Sequence, residues 1–151
     1  MRVDVDGLSV FANTGGEPHT RGAPAIVFIH GAAMDHTAWT LLARYWAKSG
    51  YNVVSIDLPG HGLSQGQPLT TIQQNAEFVQ QVLLQLELLD DVVLVGHSMG
   101  SLIALECAAQ IKQTRVLAML GTAIPMVVSQ HLLDAAQAND HSSIDLSLIH
   151  I

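Results

Sequence analysis

A serine lies between two glycines in the pentapeptide GHSMG, residues 96–100, of this 151-residue chain. The apolar run VVLV precedes the pentapeptide, and the helix-forming run SLIALECAA follows it. This arrangement predicts a buried strand that turns sharply into a helix, with Ser98 at the turn. A serine hydroxyl that projects from such a turn is placed for nucleophilic attack, and the start of a helix favours the negative charge that develops during the reaction.

The two glycines fit this interpretation on steric grounds. Gly96 and Gly100 lack the Cβ atoms that would collide with neighbouring backbone in so tight a turn. The alternative is an ordinary strand-to-helix turn in which the Ser98 side chain caps the helix. The buried strand directly before the pentapeptide and the alanine-rich helix directly after it favour the nucleophile.

Two further motifs follow predicted strands and are rich in glycine and histidine. They are FIHGAAMDHTAW, residues 28–39, and SIDLPGHGLS, residues 55–64. Together with GHSMG, and in this order, they resemble motifs of the α/β-hydrolase family, which includes esterases, lipases, C–C hydrolases and epoxide hydrolases. The resemblance extends over roughly residues 1 to 145 and implies an α/β-hydrolase fold.

The resemblance also implies roles for particular residues. Ser98 would be the catalytic nucleophile, and the backbone N–H groups of Ala32 and Met99 would form the oxyanion hole. Two such donors suit the alkoxide of a tetrahedral intermediate, and the loss of one typically costs ~3 kcal/mol of barrier. The residues expected to support this site are His30, Gly31, Gly96, His97 and Gly100.

Several other polar residues are expected to have structural rather than catalytic roles. The resemblance implies that Asp57 holds the loop 59–64 and that His61 is a structural part of it. Asp35 precedes a predicted helix and is expected to cap it. His131 and Asp134 are spaced like metal ligands, but no third ligand has suitable spacing, so we expect no metal ion. We expect no cofactor either.

The elements that must position these residues follow from hydrophobic periodicity. Strands and helices alternate along the chain after a hairpin around Gly7, which predicts a mostly parallel α/β sheet with an antiparallel N-terminal hairpin. The spacing predicts helices over residues 35–50, 70–90, 98–112 and 125–140. In the first of these helices, the apolar stripe expected to be buried is Trp39, Leu42, Ala43, Trp46 and Ala47.

Composition limits the function classes. The net charge is −7, from 6 basic and 13 acidic residues, and no Lys/Arg cluster exists, so a nucleic-acid partner is not expected. Cys107 is the one cysteine and is expected to be a buried small hydrophobe in a reducing compartment. No signal-peptide pattern or membrane-spanning run exists, so we expect a cytoplasmic protein with no membrane partner. The oligomeric state stays open.

The chain is expected to contain three parts. Residues 1–124 form the N-terminal part of a hydrolase core, 125–145 begin a cap, and 146–151 are a non-native tail. The tail sequence LSLIHI can be encoded by the transposon-end adapter used in sequencing libraries. The fold would then be truncated after its sixth strand, which would become an exposed apolar edge prone to aggregation.

A catalytic triad needs a base and an acid besides the serine. In the family both follow later strands, and neither His141 nor His150 can be assigned as the base. This chain alone is therefore expected to be inactive. The expected function by family is a serine hydrolase that acts on a small-molecule ester or similar carbonyl substrate. The alternatives are a cofactor-free haloperoxidase or perhydrolase, a C–C bond hydrolase, and a non-catalytic ligand-binding module.

Overall fold

A computed structural model of the chain describes residues 1–138. The predicted tail, 146–151, lies outside the described residues, as do His141 and His150. The described part forms two compact units, Met1–Leu120 and a second unit that starts at Gly121. The functional division into a core and a cap at residue 124 stays a prediction.

The first unit is a six-stranded sheet with three α-helices. Its strands are β1 (Arg2–Val5), β2 (Leu8–Asn13), β3 (Ala25–Ile29), β4 (Asn52–Ile56), β5 (Val92–His97) and β6 (Thr114–Leu120). Its helices are α1 (Thr40–Lys48), α2 (Ile72–Gln85) and α3 (Met99–Gln110), and a 3₁₀ turn, His36–Trp39, leads into α1. The strand order is β1-β2-β4-β3-β5-β6.

The pairing confirms the predicted fold class. The strands β4, β3, β5 and β6 are parallel neighbours, and the β1–β2 hairpin joins β4 in antiparallel orientation. Every residue of β3 and β4 is buried, as expected for strands that are covered on both faces. Within residues 1–138, β6 has a strand neighbour on one side only.

Helices cover the two faces of the sheet unequally. On one face, α2 and α3 pack on the sheet through residues such as Val79, Leu83 and Ile103. On the other face, α1 packs through Ala43 and Ala47, and Trp39 stacks on Phe28 with ring centroids 5.2 Å apart. The predicted burial of Leu42 is wrong, because two alanines are enough to bring this helix close to the sheet, and the Leu42 side chain lies beside that contact, exposed.

The predicted helix ends need correction at two places. The helix expected to run from residue 70 to 90 ends at Gln85, because Glu87 adopts a left-handed backbone conformation with φ 55°. The helix expected to start at Pro125 starts instead at Gln130, as α4 (Gln130–Gln137) of the second unit. Ser129 has an extended backbone there, and its hydroxyl accepts a hydrogen bond from the Leu132 N–H at 3.3 Å, which sets the start of the helix.

Candidate active site

The parallel pairing brings three loops to one edge of the sheet. Ile29 at the end of β3 is level with Ile56 of β4 and with Gly96 of β5. The loops that follow these strands therefore meet at the carboxyl edge of the sheet, where open α/β folds place their ligands. They are the three motif-bearing segments of the sequence.

Ser98 occupies a strained backbone position between β5 and α3. Its φ is 51° and its ψ is −122°, a conformation that residues with a Cβ atom rarely adopt and that costs of the order of 1–3 kcal/mol. The residue stands at the N-cap position of α3, but its side chain makes no capping hydrogen bond. The interpretation of Ser98 as an ordinary helix cap therefore lacks the contact that defines it.

The backbone around Ser98 is held from two sides. Its N–H donates to the Leu120 carbonyl at the end of β6, with an N–O distance of 2.9 Å. Its own carbonyl accepts from the Ser101 N–H at 2.9 Å and from the Ser101 hydroxyl. These bonds fix the turn in the conformation that the strand and the helix require.

Close packing explains both glycines of the pentapeptide. A Cβ atom added to Gly96 would collide with the Gly100 carbonyl, one turn along the chain. A Cβ atom on Gly100 would collide with the backbone carbonyls of Ile29 and His30. Because the colliding atoms belong to the backbone, the clash cannot be relieved by a change of side-chain rotamer. The start of α3 can thus lie directly against the end of β3.

The loop after β3 lies against Ser98. A Cβ atom on Gly31 would stand 3.3 Å from the Ser98 Cβ and 3.1 Å from the His97 Nδ1. Ala32, the next residue, is exposed, and Met99 is half-buried at the first position of α3. The structure thus brings together Gly31 and Ser98, the residues that directly precede Ala32 and Met99, and the oxyanion hole itself stays a prediction.

His30 ties this loop to the end of β4. Its Nε2 accepts a hydrogen bond from the Leu58 N–H at 3.1 Å, and its Nδ1 lies 2.7 Å from the Gly31 carbonyl oxygen. Because a carbonyl only accepts, Nδ1 carries the proton and the ring is neutral. Burial lowers the pKa of His30, and the hydrogen bond to Gly31 opposes this effect. His30 thus links the loop after β3 to the Leu58 backbone, and its support of the catalytic site stays a prediction.

Asp57 holds the loop after β4, as predicted. Its buried carboxylate accepts a hydrogen bond from the Leu63 N–H at 2.8 Å, and its backbone carbonyl accepts one from the Ser64 hydroxyl at 2.7 Å. The His61 Nδ1 lies 3.0 Å from the Pro59 carbonyl oxygen within the same loop. Asp35 caps the 3₁₀ turn by accepting from the Thr37 N–H at 2.8 Å, which confirms its predicted role.

One cluster of potential metal ligands was missed by the sequence reasoning. Asp35, His36 and Asp57 each offer a ligand atom, and these atoms lie within 4.8 Å of one another. The Asp57 carboxylate already accepts hydrogen bonds from His36 and Leu63, which accounts for its burial without a cation. No sequence spacing could have shown the cluster, because Asp57 lies on a different loop from the other two residues.

Two other features lie away from this edge. Cys107 is buried in α3 against α2, and burial raises the pKa of its thiol to about 12, so its predicted role as a small hydrophobe is confirmed. A cavity of about 540 Å³ lies where the parallel strands begin, at the opposite edge from Ser98. Its walls include His19, Asn52 and Asp91. No helix within residues 1–138 is long and apolar enough to cross a bilayer.

The sequence model of the alpha/beta hydrolase fold matches residues 24–145, most of the chain. The chain belongs to the α/β-hydrolase family. The match includes all three loops at the carboxyl edge of the sheet, from the loop after β3 to the turn at Ser98.

Individual α/β-hydrolases support the assignment. The chain is 36% identical over 100 residues to phospholipase YtpA of Bacillus subtilis. The matched segment covers 64% of this chain and 38% of that protein. It is 38% identical over 88 residues to the sn-1-specific diacylglycerol lipase ABHD11 of Mus musculus, covering 58% and 28% of the two chains. The crystal structure of a membrane phospholipase A, a bacterial virulence factor, superposes with a TM-score of 0.72 at 29% identity. That superposition covers 93% of this chain and 45% of the other. The chain thus spans less than half the length of each of these three relatives.

Proposed function

We propose that this α/β-hydrolase is a serine hydrolase that cleaves carboxylic esters, with Ser98 as its nucleophile. The observation that carries the proposal is the backbone of Ser98, strained at φ 51° between a buried strand and a helix start. Residues in sparsely populated backbone regions cluster at active sites, where the surrounding structure maintains the strain. Here the bonds to Leu120 and Ser101 maintain it.

The proposed reaction proceeds through an acyl-enzyme. The Ser98 Oγ attacks the ester carbonyl carbon while a histidine base takes the hydroxyl proton. The resulting alkoxide accepts hydrogen bonds from the backbone N–H groups of Ala32 and Met99. The alcohol leaves with a proton from the histidine, and water then releases the acid by the reverse sequence of steps. The start of α3 adds the partial positive charge of its unpaired N–H groups.

The base and the acid of the triad are not assigned. No histidine within residues 1–138 hydrogen-bonds to the Ser98 hydroxyl in the structure. Asp57 is unsuited to the role of acid, because both of its carboxylate oxygens hold backbone N–H groups. The proposal therefore concerns the nucleophile and the oxyanion hole.

The substrate class rests on two of the relatives. One is named a phospholipase and another a diacylglycerol lipase, and the substrates of both carry carboxylic esters. Met99, half-buried beside Ser98, offers an apolar side chain for an acyl group. We therefore propose that the substrates are carboxylic esters whose acyl group is an apolar hydrocarbon chain.

Labelling by a fluorophosphonate tests the nucleophile, in a protein that also supplies the histidine and the acid of the triad. We expect one label per chain, lost in Ser98→Ala and kept in the control Ser49→Ala, which removes an exposed hydroxyl at the end of α1. A folded wild-type protein that stays unlabelled would contradict the nucleophile and favour a ligand-binding module.

A substrate panel tests the chemistry. We expect p-nitrophenyl butyrate and octanoate to be hydrolysed, and Ser98→Ala to lose at least 10³-fold in kcat/KM, since activated nucleophiles supply most of the rate. If labelled enzyme instead turned over only a ring-cleavage dienoate or formed only peracid, ester hydrolysis would be the wrong reaction.

A further inference from the structure

Helix α1 presents an exposed apolar side to solvent. The α1 side chains that pack against the sheet are those of Ala43, Ala47 and the half-buried Trp46. Away from that contact, Leu41 is 81% exposed and Tyr45 is 63% exposed, and Leu42 beside it is 44% exposed. Single exposed apolar side chains are common, but three large ones within five residues of one helix form a contiguous patch.

Basic side chains extend this patch on one flank. At about 100° per residue, Leu41, Tyr45 and Leu42 cover an arc of ~100° on the helix surface. Lys48 and Arg44 continue the arc for a further ~60° on the Leu41 side. The five residues together form one convex strip, which we name the α1 face.

The charge of the α1 face is opposite to that of the chain. The chain carries 6 basic and 13 acidic residues, whereas α1 carries two basic residues and no acidic one. Neither Arg44 nor Lys48 forms an ion pair with any residue in the described part of the chain. Within residues 1–138, no carboxylate therefore competes with an anionic partner for these two cations.

We propose that the α1 face docks on the surface of an anionic lipid bilayer. The two leucines would enter the boundary between headgroups and acyl chains, and the tyrosine suits the interface because its ring is apolar and its hydroxyl polar. Arg44 and Lys48 would contact lipid phosphates, which attract cations near the surface. The contact is peripheral, so it needs no membrane-spanning segment.

The shape and charge of the α1 face favour a bilayer over a protein partner. A protein site for an amphipathic helix is a groove that accepts its apolar side, whereas a bilayer is flat and accepts a convex strip that is both apolar and basic. The acidic remainder of the protein is repelled by the same lipids, which orients the molecule with α1 toward the membrane. The inference goes beyond ester hydrolysis, because docking does not require Ser98.

Cosedimentation with vesicles tests the proposal. We expect the full chain to bind vesicles of phosphatidylcholine with phosphatidylglycerol at low salt, and to bind pure phosphatidylcholine at least tenfold more weakly. Arg44→Gln/Lys48→Gln should lower the partition coefficient roughly tenfold to thirtyfold. The matched control Arg21→Gln/Lys112→Gln removes two other exposed cations and should retain binding.

Substitutions of Leu41 and Tyr45 test the apolar part of the α1 face. Leu41→Ser/Tyr45→Ser should lower the partition coefficient at least tenfold. The control Leu84→Ser, at an exposed leucine of α2, should leave it unchanged. Because these side chains are exposed, the variants keep the fold, which circular dichroism verifies before binding is measured.

Three results would overturn the proposal. One is wild-type protein that stays in the supernatant with both kinds of vesicle. Another is an equal loss of binding in the α1 pair and in the control pair, which would indicate net charge alone. The third is a vesicle-free dimer, seen by light scattering, that Leu41→Ser/Tyr45→Ser abolishes, because the occupant would then be a second copy of the chain.

Discussion

His36 donates two hydrogen bonds to the carboxylate of Asp57. The backbone N–H of His36 lies 2.6 Å from the Asp57 Oδ1, and its ring Nδ1 lies 2.9 Å from the same oxygen. Because a carboxylate only accepts, the Nδ1 carries a proton in this arrangement. The pair joins the loop after β3, which contains Ala32, to the loop after β4.

Asp57→Asn should destabilise the protein by about 3 kcal/mol, the cost of breaking a buried charged hydrogen-bond group. An asparagine keeps the shape but has one accepting oxygen, so either the His36 N–H or the Leu63 N–H faces an amide NH₂. The free energy of unfolding in urea measures the effect. The control Asp35→Asn should cost less than ~0.5 kcal/mol, because asparagine caps as well as aspartate. An equal decrease in the free energy of unfolding of the two variants would show that the Asp57 contacts stabilise the protein no more than the Asp35 cap does.

Local patterns in the sequence predicted the elements that depend on local physics. The apolar run VVLV indicated the buried strand β5, and the helix-forming run SLIALECAA indicated α3. The pentapeptide around Ser98 predicted a tight turn, because its glycines are required only where backbone approaches backbone.

Features that depend on the assembled sheet could not be predicted. The contact of His36 with Asp57 joins residues 21 positions apart and exists because β3 and β4 are neighbours. The exposure of Leu42 depends on how closely Ala43 brings α1 to the sheet, which spacing alone does not set. The sequence pattern identifies the residues involved in these features, but their contacts and exposure depend on how the sheet and the helix pack.

Glu87 is a position where substitution should stabilise the protein. It follows α2 with φ 55°, and the Leu88 N–H donates to the Leu83 carbonyl at 2.9 Å, a helix ending in which glycine is the preferred residue at the left-handed position. Glu87→Gly should raise the free energy of unfolding by about 0.5–1 kcal/mol, because the Cβ strain disappears. Thermal and urea unfolding measure the gain.

The control for this gain is Glu87→Ala, which removes the same charge and keeps the Cβ atom. It should give no stabilisation. If alanine and glycine gave the same gain, the carboxylate and not the backbone would be the source of the strain.

His30 should make the stability of the protein fall as the solution becomes acidic. Burial lowers the pKa of His30, and the charge of nearby His61 lowers it further. In the unfolded chain a histidine takes up its proton near pH 6.5, whereas the folded protein takes it up only at lower pH. Between these two values the unfolded state binds more protons, so the free energy of unfolding decreases as the pH falls, by up to ~1.4 kcal/mol per pH unit.

Protonation also has a local structural cost. A second ring proton on His30 would stand on Nε2, where the Leu58 N–H now donates, so two donors would face each other across 3.1 Å. His30→Gln removes the titrating group, and its unfolding free energy should vary less between pH 7 and pH 5 than that of the wild type. The control His131→Gln, at an exposed histidine of α4, should keep the wild-type slope. If the unfolding free energies of the wild type and of His30→Gln had the same dependence on pH, a group other than His30 would cause the loss of stability in acid.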